Sequence, residues 1–272
     1  MTEEYPAQEN GREESWDIFD PLRSTSYVPE KYSGERKYPC VIDVFLYPFS
    51  KGGLLMLAIF VSVPVILRLL VLLFAAIAIV FAPFLVFLAF IKIAGIFIGA
   101  VLWIYIFWYY EQCVADSAAG GVRAPGIIAA PTLGEMFFTF LKISITLVLF
   151  LFPAAIWLKI TGRLDQVFWI IVSVGIFLFP MAVLARVMFD SMTALNPVLL
   201  AGSIASTFLP YMGVCLFVVL SGVLLVLSVI SLSAMPLVRV FIQGLCTLWL
   251  MVSGHLIGRF FYKYQERLNW EV

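Results

Sequence analysis

From Gly52 to Tyr110 the chain runs 59 residues with only two charges, Arg68 and Lys92. A helix that is apolar all round must lie in a protein interior or in a membrane. A membrane span takes roughly 20 residues at about 1.5 Å each, so this run holds two long spans or three short ones. The sequence "FAPF" at Phe81–Phe84 offers the natural break. Proline suits a first helical turn, so a turn at Ala82–Pro83 predicts spans near 54–81 and 84–110. The rival cut ends spans at Arg68 and Lys92 and leaves 69–91 between them. The hairpin is the expectation carried forward.

The remainder of the chain has the same character. Hydrophobic residues make up 63% and charged residues 12%, and mean hydropathy is +1.04, which puts the chain in the membrane class. Beyond the polar, Gly- and Pro-rich connection "EQCVADSAAGGVRAPGIIAAPTLGE" lie spans near 136–158 and 166–188, joined by "LKITGRLDQ". Gly120 and Gly121 are the expected stop before that connection, since glycine takes the left-handed conformation that ends helices. Asn196 reads as an N-cap with Pro197 at the first helical position. They open a helix at 197–206 that is too short to span and suits the interface. Spans near 209–232 and 237–260 follow. The expected fold is all-α: a polytopic transmembrane helical bundle of about six spans, arranged as three hairpins with short interfacial helices.

Three regions follow from this layout: an acidic tail at 1–38, a transmembrane domain at 39–260 and an amphipathic end at 261–272. Residues 1–51 hold ten of the seventeen acidic residues. A tail so polar buries too little apolar surface to offset its chain entropy, which predicts disorder. Trp16, Phe19, Tyr27 and Tyr32 interrupt its polarity and form a candidate docking motif for a protein partner; incidental aromatics are the plainer account. The amino terminus lacks a basic n-region and an apolar h-region, so no cleavable signal is expected. Six spans place both termini on one side. Arg36, Lys37, Lys51, Arg123, Lys142, Arg186, Arg259, Lys263 and Arg267 lie near helix ends on that side, against Lys159, Arg163 and Arg239 on the other. Positive residues concentrate on the cytoplasmic face, so the expected location is the cytoplasmic (inner) membrane with both termini inside.

"YPF" at 47–49, "SAAGGVRAP" at 117–125, "LNPVLLAGSIAS" at 195–206 and "GRFFYKYQERLNW" at 258–270 mark helix ends. With these motifs, residues 40–270 resemble a group of uncharacterised prokaryotic multi-pass membrane proteins, a domain of unknown function. The resemblance implies a bacterial membrane protein of this topology and carries no activity with it.

Few residues invite chemistry. Arg68 falls about 14 residues, roughly 21 Å, into the first span and Lys92 roughly 12 Å into the second. A charge near the bilayer centre costs about 2.5–3.5 kcal/mol on insertion scales and finds a partner or a watery cavity. No carboxylate is expected deep in any span, because Glu111, Asp116, Glu135, Asp165 and Asp190 all read as helix ends. Arg68 and Lys92 are therefore the candidate contacts for an anionic lipid or anionic solute, with Arg68 turned to the bundle interior or a headgroup. The plainer account has Lys92 snorkelling and Arg68 bonded to helix carbonyls or at an interface. His255, the single histidine, suits a core or interfacial hydrogen bond. Gly95/Gly99 and Gly254/Gly258 have the spacing that lets helices approach closely, either within the chain or across a dimer. The four cysteines show no metal or redox spacing. No catalytic, phosphate-binding or dinucleotide motif occurs, and no basic–aromatic interleaving suits nucleic acid. The expectation is a non-enzymatic membrane protein without cofactor, a scaffold that tethers a partner through its tail; a small carrier or channel for an anionic or amphiphilic solute is the alternative.

Overall fold

The computed structural model describes residues 40–126, 131–232, 236–268 and 270. The acidic tail with its aromatic motif, Arg36, Lys37 and the turn at 233–235 lie outside the described residues, as does the side chain of Arg239. The elements are α1 (Cys40–Leu46), a 3₁₀ turn at Tyr47–Phe49, α2 (Lys51–Val80), α3 (Phe84–Ala118), α4 (Leu133–Thr161), α5 (Gln166–Phe189), a 3₁₀ turn at Met192–Leu195, α6 (Pro197–Ser206), α7 (Phe208–Leu232) and α8 (Pro236–Leu268). Six of these are long and apolar enough to span a membrane: α2, α3, α4, α5, α7 and α8. The described residues form an all-helical bundle with six helices able to cross a membrane.

The hairpin cut of the first apolar run holds. α2 passes through Arg68 without interruption, and the chain reverses at Phe81–Pro83, where the Phe84 and Leu85 amides bond to the Phe81 and Ala82 carbonyls at 3.0 Å each. The partners of each hairpin, α2/α3, α4/α5 and α7/α8, pack together directly, and the most extensive contact in the bundle joins α3 to α8. α8 is the central helix: 44% of its most apolar stretch is buried, against none in α2.

Helix ends follow local chemistry. Ser50 caps α2 by accepting from the Gly53 amide at 3.2 Å. Thr132 and Glu135 form a reciprocal capping box at the start of α4. Asn196 accepts from the Val198 amide at 3.0 Å and Pro197 opens α6, as the sequence predicts. α3 stops at Gly120, whose φ of +98° only glycine adopts without strain.

Pro64, Pro153 and Pro180 lie inside spans beyond the first turn, and the helices run through them. An interior proline deprives the carbonyl four residues earlier of its donor. For Pro64 that carbonyl is Phe60, and the Gln243 side-chain amide of α8 donates to it at 3.0 Å. Near Pro180 the Tyr211 hydroxyl of α7 donates to the Phe177 carbonyl. At Pro64 a neighbouring helix thus satisfies a backbone group that lipid cannot.

Two sequence boundaries move. α3 extends to Ala118, not 110, and so carries Glu111 and Asp116 within a helix. The boundary at 260 has no counterpart in the backbone, because α8 continues to Leu268, and Phe261 and Leu268 are buried in the core.

Candidate functional site

Buried residues gather at one end of the bundle. There the 3₁₀ turn after α1, the end of α3, the last turns of α5, α6, and the second half of α8 form the core. Spans that begin and end there alternate, so this is the end shared by Lys51, Ala118, Leu133, Phe189, Phe208 and Leu268. The opposite end, at Phe81–Pro83, exposes Ile79 and Val80 almost entirely.

Glycines make the close packing in this cap. A Cβ at Gly258 would overlap the Val114 carbonyl and stand 2.6 Å from the Ser117 Cβ, and one at Gly254 would meet Cys113 at 3.3 Å. The Gly254/Gly258 spacing therefore serves α8 against α3 within one chain. Around Gly95 and Gly99 a Cβ would meet nothing within 4 Å.

Between these glycines His255 is fully buried. Its Nδ1 lies 2.7 Å from the Ser117 Oγ, and its ring stacks on Tyr47 with centroids 3.9 Å apart and planes 16° from parallel. The Tyr47 hydroxyl donates to the Asp116 carboxylate at 3.4 Å and the Cys113 carbonyl at 3.5 Å. Burial first, then the neighbouring Cys113 and Asp116, push the Tyr47 phenol well above its ordinary range, so it stays a protonated donor. The Asp116 carboxylate sits where a Cβ at Gly121 would be, so only glycine leaves it room.

Two ion pairs extend the network. Arg259 of α8 donates to Asp43 of α1 at 2.5 Å, and Arg186 of α5 donates to Glu111 of α3 at 2.9 Å. The Arg186 side chain is 0% exposed, and its Nε and Nη1 make no hydrogen bond to the described residues. Farther out, Lys142 of α4 meets Asp190 at the end of α5 at 2.5 Å. The Trp270 indole donates to Ser203 of α6 at 2.8 Å. Together these contacts fasten α1, α3, α4, α5, α6 and α8, with Trp270 just beyond α8, to one another.

The residues singled out in the sequence fare unevenly. His255 takes the core hydrogen bond expected of it. Arg68 and Lys92 are both exposed, so Arg68 does not turn to the bundle interior. Neither makes an ion pair or hydrogen bond with the described residues, and they stand about 18 Å and 12 Å from the ends of α2 and α3 that flank the turn. The expectation that no acid is buried is overturned: Asp43 is 5% exposed and Asp116 0%. The error lay in reading "EQCVADS" as a loop, which set both α3 acids outside the helix. Tyr109, outside the candidate sites read from the sequence, is a core residue whose hydroxyl donates to the Pro125 carbonyl at 3.2 Å. The one signal that could have located the cap is the pair of glycines flanking the single histidine.

Chemically the cluster is a set of internal contacts. The Ser117 hydroxyl and the His255 imidazole are 0% exposed, and Tyr47 covers one face of the ring. Nucleophilic catalysis needs such a pair open to a substrate carbonyl. Among the described residues no group of three or more His, Cys, Asp or Glu side chains could hold a metal ion. Comparison of the chain with family models, curated proteins and solved structures returns no match.

Proposed function

We propose that this chain is a non-enzymatic scaffold of the bacterial cytoplasmic membrane that presents its amino-terminal tail to a protein partner. Both termini lie on the cytoplasmic side, and the lipid bilayer is its solvent. The observation that supports this reading is the use of its buried polar groups. Tyr47, Asp116, Ser117, His255 and the pairs Arg186–Glu111 and Arg259–Asp43 all join helices to one another at one end. A carrier instead places polar groups near the midplane, at broken helices. Here the helices with interior prolines stay whole, and the carbonyl orphaned by Pro64 is taken up by Gln243. The basic helix ends support the orientation, since Lys51, Lys142, Arg186, Arg259 and Lys263 all belong to the capped end.

The test separates tail from bundle. Deleting residues 1–38 should leave the thermal midpoint in detergent unchanged and abolish cross-linking of the partner in cells. Reporter fusions after Gly34, Arg163 and Val272 should read cytoplasmic, periplasmic and cytoplasmic. A large fall in midpoint on deletion, or a periplasmic signal at either terminus, overturns the reading. Saturable passage of an anionic solute through reconstituted vesicles would favour the carrier.

A further inference from the structure

α1, α7 and α8 enclose a groove of about 320 Å³ near the capped end. Phe45 of α1, Val214 and Phe217 of α7 and Leu256 of α8 form apolar walls, and Phe45 and Phe217 meet edge to face at 6.0 Å. The groove extends along α8 from Leu256 to Lys263, about 10 Å. Toward the helix end its character changes. Arg259, held by Asp43, lines it, and then comes the exposed Lys263, whose ammonium lies 5.5 Å from the centre of the Tyr264 ring. Arg267, one turn on, stands 5.8 Å from the same ring. Among the described residues the acids nearby are Asp43, engaged by Arg259, and Glu266, exposed on α8. The mouth therefore carries an excess of positive charge over an apolar slot.

We infer that this groove binds one acyl chain of an anionic phospholipid, with its phosphate at Lys263. Three features point to that occupant. The slot opens from a membrane-spanning helix pair, where the surrounding solvent is lipid. Its volume is at the small end of ligand sites, which span about 300–1,000 Å³, and fits part of one chain better than a folded partner. Its polar end is cationic and carries a tyrosine, the chemistry that meets a phosphate at headgroup depth. Arg68 and Lys92, the sequence candidates for this role, are exposed and do not line the groove. The inference rests on the scaffold reading only in taking the chain to be membrane-embedded; it does not depend on what the tail binds.

Gly213 supplies the test. It lines the groove, and a Cβ built on it meets nothing within 4 Å, so a larger side chain fills the slot without a backbone clash. The full chain is purified and titrated with phosphatidylglycerol or with phosphatidylcholine of the same chains, and retention is read by native mass spectrometry. Wild type should retain phosphatidylglycerol roughly fivefold or more over phosphatidylcholine. Lys263→Glu should erase the preference at an unchanged thermal midpoint, and Gly213→Leu should lower retention of both lipids. Equal retention of the two lipids by wild type overturns the inference, as does undiminished retention by Gly213→Leu. Two further outcomes also overturn it. Binding that emerges only when residues 1–38 are deleted assigns the groove to the chain's own tail, and a dimer lost in Gly213→Leu assigns it to a second copy. Failure of the tail-deletion test alone would leave these results standing.

Discussion

A buried guanidinium beside one carboxylate is stable only while both are present. Arg186 is 0% exposed and Glu111 15%, at 2.9 Å. Removing one member of a buried pair leaves an uncompensated charge and costs about 3–5 kcal/mol, whereas replacing both with apolar groups of similar volume is near neutral. Glu111→Leu alone should therefore lower the unfolding midpoint sharply, and adding Arg186→Met should restore most of it. If the double variant is as unstable as the single one, the pair is kept for something other than packing. Gln243 makes a smaller contribution. Gln243→Leu orphans the Phe60 carbonyl that Pro64 has already deprived of its helical donor. Hydrogen bonds between membrane helices average about 0.6 kcal/mol and reach about 1.7. The loss should lie in that range and vanish in a Pro64→Ala background, where the helix regains its own donor. A loss that persists there would assign Gln243 another role.

At the level of elements, local chemistry accounts for where helices start and turn, and contacts across the bundle account for where they stop and what they bury. The turn at Phe81–Pro83 and the whole of α6 were legible because "FAPF" and "LNP" carry their own punctuation. The last turns of α3 were not. Glu111, Asp116 and Ser117 look like loop residues until Arg186, Tyr47 and His255, distant in sequence, supply partners. Apart from the Gly254/Gly258 stripe of α8, the buried face of a span was not legible either, because a helix apolar all round has no stripe to read. The loop between α4 and α5 is local again and makes a pH prediction. Asp165 caps α5 through the Phe168 amide at 2.9 Å and accepts from the Trp157 indole at 3.0 Å. The Phe168 amide bond, chiefly, holds its carboxyl below the ordinary value of 3.8. A lowered folded pKa gives stability that is present above the ordinary value and lost as pH falls through the lowered one. The difference in midpoint between wild type and Asp165→Ala should thus be constant from neutral pH down to about 5 and shrink below it as pH approaches and passes the ordinary value. A difference that changes between pH 7 and 5 would contradict the assignment.

At the largest scale the described bundle has two unlike ends. At one end polar groups and glycines lock α3 onto α8 and fasten α1, α5 and α6 around them; at the other the hairpin of α2 and α3 exposes apolar side chains. That division makes the capped end the firmly packed end of the described bundle, and it rests on the claim that the Ser117–His255 contact is structural. A double-mutant cycle tests this most directly, with thermal unfolding of Ser117→Ala, His255→Phe and the double variant in one detergent. Phenylalanine keeps the stack on Tyr47, so the cycle isolates the 2.7 Å hydrogen bond. The account predicts that each single change destabilises, that the pair is coupled by about 1 kcal/mol, and that the tail's partner still cross-links to any variant that remains folded. Strictly additive effects, or variants that keep full stability while losing the partner, would contradict it.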